Sequence, residues 1–125
     1  MLRILMATAR PEALHSFTET LSSDPEVRLD QTASGADALS TVRASSPHLV
    51  LIDFELPDFK PFDLVKEMLM VNAMVSTAVV SSLSDGQFHE ASEGLGVLTR
   101  LPLEPGRGDA VDLLCKLRKV LEQPG

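Results

Sequence analysis

The sequence predicts an α/β domain: a doubly wound parallel sheet of five strands with helices on both faces. Three observations carry this. Short apolar runs alternate five times with segments whose apolar residues recur at helical spacing, the pattern of strands joined by crossover helices. The clearest run, His48-Leu49-Val50-Leu51-Ile52-Asp53, does not alternate with polar residues, as befits a strand buried on both faces. The chain has 125 residues, enough for one core, and its 44% hydrophobic content excludes a disordered or fibrous chain.

Each element has its own signal. Leu2–Ala7 reads as strand one, and Pro11 suits the first turn of a helix whose inner stripe is Leu14, Phe17 and Leu21. Residues 27–33 alternate weakly and suit a sheet edge. Ser34 is the expected N-cap of helix two, with Asp37 three residues on and Ala38, Leu39 and Val42 facing inward. Strand three ends on Asp53, and an irregular loop over 54–60 leads to Pro61, which starts helix three with Phe62, Val65 and Leu69 inside. Residues 77–81 form strand four, and Asp85-Gly86 opens a short helix four ending near Gly94. Strand five is Val97–Leu101, stopped by Pro102. A closing helix over 107–121 turns Val111, Leu114, Cys115 and Leu121 inward, so the domain spans 1–121 and leaves 122–125 as a tail or linker start. Met68, Met70 and Met74 are read as ordinary packing, and Cys115 as a small core residue.

The balance of 11 Lys+Arg against 18 Asp+Glu gives a formal net charge of −7, which argues against nucleic acid as a partner. One cysteine excludes a disulfide framework and a Cys-rich zinc site. His15, His48 and His89 fall on different elements, so no metal site is expected of them. The apolar start is broken by Arg10, and the uncharged run over 68–84 is too short and polar to span a bilayer. The expectation is a cytoplasmic domain with no membrane partner. Lys116, Arg118 and Lys119 near the end of the last helix complement its dipole and need no ligand to explain them.

In an open parallel sheet, ligands bind beyond the carboxyl ends of the strands. That rim holds Thr8, Ala9 and Arg10 after strand one, Asp53 after strand three, Ser82 after strand four, and Leu101-Pro102 after strand five. The stretch PHLVLIDFELPD, with its apolar strand, terminal Asp53 and following Leu-Pro, resembles the phospho-acceptor segment of CheY-like response-regulator receiver domains. The likeness runs from RILMATARPEAL to Leu101-Pro102, with similar spacings from Asp53 to Ser82 and on to Leu101. It implies a flavodoxin-like (βα)5 fold with strand order 2-1-3-4-5, and Asp53 as the phospho-acceptor position.

The departures point to a degenerate, pseudo-receiver variant. The family places an acidic pair, which holds Mg²⁺, where this chain has Thr8 and Ala9; its strand-five lysine is replaced by Leu101, its aromatic switch residue by Leu98, and the glycine opening helix three by Pro61. Asp53, Ser82 and Pro102 match the family, where a cis bond usually precedes this proline. Mg²⁺ wants carboxylates, and a unit-charge pair at 4 Å is worth about 4 kcal/mol at an effective dielectric near 20. Losing two anionic ligands therefore weakens such a site by several kcal/mol, and Leu101 removes the cation that would clamp a phosphoryl oxygen. The expectation is no cofactor, no enzymatic activity, and loss of Mg-dependent phosphorylation.

Arg10 has two readings. It is either a solvated residue at a helix start, which is the default, or a guanidinium that reaches Asp53 and stands in for the metal. Ser82 reads as a hydroxyl bonding local backbone, and Glu55, Asp58 and Asp63 as solvated acids. The resemblance implies two-component signalling through protein contact: with a sensor kinase, with a C-terminal output domain, or by self-association through the helix 4–strand 5–helix 5 face. Interface candidates there are Phe88, Arg100, Glu104 and Asp112. Two alternatives stand beside it. One is a working phospho-acceptor, phosphorylated on Asp53 by a histidine kinase and needing Mg²⁺. The other is a flavodoxin-like small-ligand module, disfavoured because Ala7-Thr8-Ala9-Arg10-Pro11 has no glycine to cradle a phosphate.

Overall fold

Strand β1 (Leu2–Ala7) sits next to the centre of a parallel sheet whose order is β2-β1-β3-β4-β5. The structure, a computed structural model, describes residues 1–122. After β1 come a 3-10 turn (Pro11–Leu14), α1 (His15–Ser23), β2 (Val27–Thr32), α2 (Gly35–Ser45), β3 (Leu49–Ile52) and α3 (Pro61–Val71). The chain continues through β4 (Ser76–Val80), α4 (Asp85–Ser92), β5 (Val97–Leu101) and α5 (Arg107–Glu122). The flavodoxin-like topology and strand order are those the sequence predicts.

Period-two alternation divides the interior into two cores. Ile4 and Met6 of β1, with Leu49 and Leu51 of β3, face α1 and α5, where Phe17, Leu21, Leu113 and Leu117 close the layer. Leu5 and Ala7, with Val50 and Ile52, face α2, α3 and α4, where Ala38, Val42, Leu64, Val65 and Met68 complete it. With both faces covered, β3 is wholly buried, which is why its sequence is unbroken Leu-Val-Leu-Ile. β2 alternates because it is an edge, and it keeps Arg28 and Asp30 in solvent.

Helix α2 is fixed at both ends. Ser34 caps it as expected, its Oγ accepting from the Asp37 N–H at 3.2 Å. Asp58, from the loop after β3, accepts the Gly35 N–H at 2.8 Å and the Ala36 N–H at 2.9 Å. These bonds hold the Asp58 carboxyl below its ordinary range, the Ala36 N–H contributing most. Asp58 is exposed, as the sequence reading has it, and beyond that reading its carboxylate holds the start of α2. Gly35 lets the loop approach: a Cβ there would lie 2.4 Å from Cδ2 of Phe59. At the other end the Arg3 guanidinium donates to the carbonyls of Ser45 and Ser46, where cationic charge suits the helix dipole.

Other expectations shift. Pro11 opens a 3-10 turn, with α1 proper beginning at His15, and β2 ends one residue early at Thr32. Helix α4 starts with a capping box between Ser84 and Gln87 that the sequence reading missed. Helix α5 runs to Glu122, so the 122–125 tail loses its first residue, and 123–125 lie outside the described residues. The buried face of α5 is Ala110, Leu113, Leu114 and Leu117, which leaves Val111 60% and Leu121 45% exposed. Cys115 is exposed, not packed. Met68 is buried as expected, but Met70 and Met74 are 83% and 89% exposed. Among the described residues, no helix is long and apolar enough to cross a membrane.

Candidate functional site

The sheet register builds the site. Ala7 pairs with Ile52 in β3 and with Thr32 in β2. The ladder runs one residue further, Asp53 N–H donating to the Ala7 carbonyl and Thr8 N–H to the Thr32 carbonyl, both at 3.0 Å. Thr8 and Asp53 therefore leave the sheet side by side, at the rim where the sequence placed them.

Asp53 is fully buried, and both its oxygens are taken. The Thr8 hydroxyl donates to Oδ2 at 2.6 Å. Arg10 grips the carboxylate with a fork: Nε donates to Oδ2 and Nη2 to Oδ1, each at 2.9 Å. The Phe54 N–H donates to Oδ1 at 2.8 Å. Four donors fill the acceptor sites of one carboxylate, with the planar geometry that makes Arg–carboxylate pairs strong. The default reading of Arg10 is thus corrected: it is the guanidinium that reaches Asp53. Its side chain is 23% exposed, stacks over the Phe54 ring at 4.4 Å, and donates to the Leu103 carbonyl at 2.5 Å. Its N–H donates to the Thr8 Oγ1 at 3.0 Å, so Thr8 orients both partners. Pro11 after it pre-sets the 3-10 turn that aims the side chain back over the strand ends.

The remaining candidates are dispersed. Ala9 is exposed and brings no ligand. Leu101 is buried in the core, offering no cation, and Leu98 is half-buried against the same cluster. Pro102 is exposed, and among the described residues every peptide bond is trans, Leu101–Pro102 included; trans is the isomer an X–Pro bond ordinarily prefers. Ser82 points to solvent, whereas its neighbour Ser81 is buried and accepts the Leu83 N–H at 3.1 Å. The strand ends at Val80, one residue sooner than expected, so Ser81 takes the inward place.

On the α4–β5–α5 face, Phe88 is corrected: it is 8% exposed and packs edge-on against Phe62, ring centroids 5.5 Å apart. Arg100 bridges to Asp85 at 3.0 Å and to the Ser81 carbonyl at 3.4 Å. Asp112 pairs with Lys116 at 3.1 Å, and Lys116 also reaches Thr99. Glu104 is exposed.

The donor set does not fit a magnesium ion. The strand ends offer one carboxylate, Asp53, already paired with Arg10; Thr8 and Ala9 beside it supply a hydroxyl donor and a methyl, and the guanidinium covers the approach. No group of three His, Cys, Asp or Glu among the described residues could hold a metal. A cleft of about 370 Å³ beside the pair is lined by Ala9, Arg10, Glu55, Leu56 and Pro57 and presents the guanidinium to it, not Asp53.

No family model matches the chain. It is 30% identical over 113 residues to protein-glutamate methylesterase/protein-glutamine glutaminase 3 of Anaeromyxobacter dehalogenans, covering 86% of this chain and 32% of that one. Against sporulation initiation phosphotransferase F of Bacillus subtilis it is 28% identical over 69 residues, covering 55% and 56%. The chain thus spans about a third of the first relative and just over half of the second. Among solved structures it is similar to the response regulator domain of Thermotoga maritima CheB, with TM-score 0.81, 19% identity and coverage of 100% and 99%. It is likewise similar to a CheY-like receiver domain protein of Methanospirillum hungatei JF-1, with TM-score 0.84, 17% identity and 99% coverage of each.

Proposed function

We propose that this chain, whose fold is that of CheY-like response-regulator receiver domains, is a signalling module that acts by protein contact with its phospho-acceptor position locked. One observation carries the reading: the Arg10 fork on a fully buried Asp53. Attack on a phosphoryl donor needs a free carboxylate lone pair and cations around the incoming oxygens. Here the lone pairs are spent on Thr8, Arg10 and Phe54, and the one cation is bound to the acceptor itself. Phosphorylation would have to break the fork and expose the carboxylate, with no acidic pair to recruit a metal and no lysine at Leu101.

The domain then needs no cofactor and is not an enzyme. It is read as cytoplasmic, with a protein partner: a sensor kinase, an output segment of the same polypeptide, or a second copy meeting the α4–β5–α5 face through Arg100, Glu104 and Asp112. The test is a two-dimensional amide NMR titration with Mg²⁺ and then beryllofluoride, a phosphoryl mimic. The expected result is no response at Thr8, Asp53, Phe54 or Leu101. Shifts clustered there and absent in Asp53→Ala would overturn the locked site and restore a working acceptor.

A further inference from the structure

We propose that Asp53 serves as an anchor that fixes the Arg10 guanidinium against the loop between β5 and α5, so that Arg10 is the positioning residue for that loop. The inference rests on the locked site and concerns what the lock holds in place. Pro102 and Pro105 bring the loop no N–H donor. Among the described residues, no backbone–backbone hydrogen bond involves residues 102–105. Leu103 packs against the core and Pro105 is buried, which fixes the loop's depth. Its polar tie is the bond from Arg10 Nη2 to the Leu103 carbonyl.

That same Nη2 donates to Asp53 Oδ1 while Nε holds Oδ2. A planar guanidinium held at two nitrogens by one carboxylate, and stacked on Phe54, has no free rotation left. Its contact with Leu103 is therefore set by Asp53. With an uncharged amide in place of the carboxylate, the fork loses its charge-assisted anchor and the loop loses the tie. The loop leads directly into α5, the Gly106 N–H donating to Asp109 Oδ2 at 2.8 Å, and carries exposed Glu104 at its surface. A partner that contacts Glu104 or the start of α5 meets a surface ordered by a carboxylate it never touches.

The experiment is ¹⁵N relaxation on wild type, Asp53→Asn, Arg10→Lys and the double variant, with no metal or phosphoryl reagent present. Order parameters at Leu103, Glu104 and Gly106 are expected near 0.85 in wild type and below about 0.6 in both single variants. The double variant should loosen the loop no further, and amides 34–37 should stay rigid throughout. Lysine keeps the charge but lacks the fork, so a purely coulombic role predicts a wild-type loop in Arg10→Lys; that result overturns the proposal. So does a rigid loop in Asp53→Asn, which conserves shape and decides the matter if the lysine variant does not fold. A rigid loop in a protein that still ignores beryllofluoride would sink this inference alone and leave the locked site standing.

Discussion

Replacing Arg10 with alanine strips a buried carboxylate of its counter-ion, and the structure sets the size of the penalty. Asp53 loses two charge-assisted hydrogen bonds and keeps two, from Thr8 and the Phe54 N–H. Breaking a buried pair from one side costs about 3–5 kcal/mol, because the remaining charge is left uncompensated. The Arg10 side chain is 23% exposed, so water enters where it stood and returns part of that cost. The expected loss is about 2–4 kcal/mol. With an unfolding entropy of about 2.1 cal/mol/K per residue, a chain of this length should melt roughly 10 °C lower. Urea unfolding followed by circular dichroism measures it, as a lowered midpoint at unchanged slope. The double variant Arg10→Ala/Asp53→Ala, which leaves no buried charge, should lose clearly less than the sum of the two single changes. A loss under about 0.5 kcal/mol in Arg10→Ala, or strict additivity in the cycle, would refute the account of the pair as a closed electrostatic unit.

Three further outcomes follow from other contacts. Asp58→Ala removes the donor-facing carboxylate at the start of α2 and should cost about 1 kcal/mol, the usual worth of a cap. Because the folded Asp58 sits below its unfolded value near 3.9, its contribution is present above that pH and fades as pH falls through the folded value, so a pH series of wild type and variant should converge in acid. His48 accepts the Arg3 N–H at 3.0 Å on a bare Nδ1, and burial, followed by the Arg3 charge, lowers its pKa. The unfolded chain then binds the proton first, so stability should drop as pH falls below about 6.5, and His48→Ala should flatten that slope in urea midpoints. Gly35→Ala drives a methyl against Phe59 and should cost about 1–3 kcal/mol, with amide shifts spreading through 57–60; a neutral result would show that the Phe59 ring yields freely.

The backbone was largely legible because β3 and β5 announce themselves through composition and Pro102, and because Ser34 and Pro61 are local signals read over three or four residues. The site was legible in location but not in wiring. Thr8, Arg10 and Asp53 could be assigned to one rim by topology, whereas the grip of Arg10 depends on a rotamer chosen across 43 positions of sequence. The capture of α2 by Asp58 likewise joins residues 22 and 23 positions apart, which no local pattern announces. Helix α5 misled for a different reason. Its small Ala110 lies inside and its Val111 outside, so a hydrophobicity pattern that weights valine over alanine rotates the helix by about one residue. Met70 and Met74 show the same one-way rule, in which apolar residues need not be buried.

The interlocking of Thr8, Arg10 and Asp53 also shapes which sequences can be reached from this one. Thr8 donates to the carboxylate at 2.6 Å and accepts the Arg10 N–H, so placing an acid at position 8 alone sets a second negative charge against the first and removes the hydroxyl donor from Asp53. Removing Arg10 alone strands a buried charge, and installing a lysine in place of Leu101 alone forces a cation into an apolar core. Each of these single changes is therefore expected to lower stability, as a urea midpoint would show. Thr8, Arg10 and Asp53 thus tolerate change as a set better than one at a time.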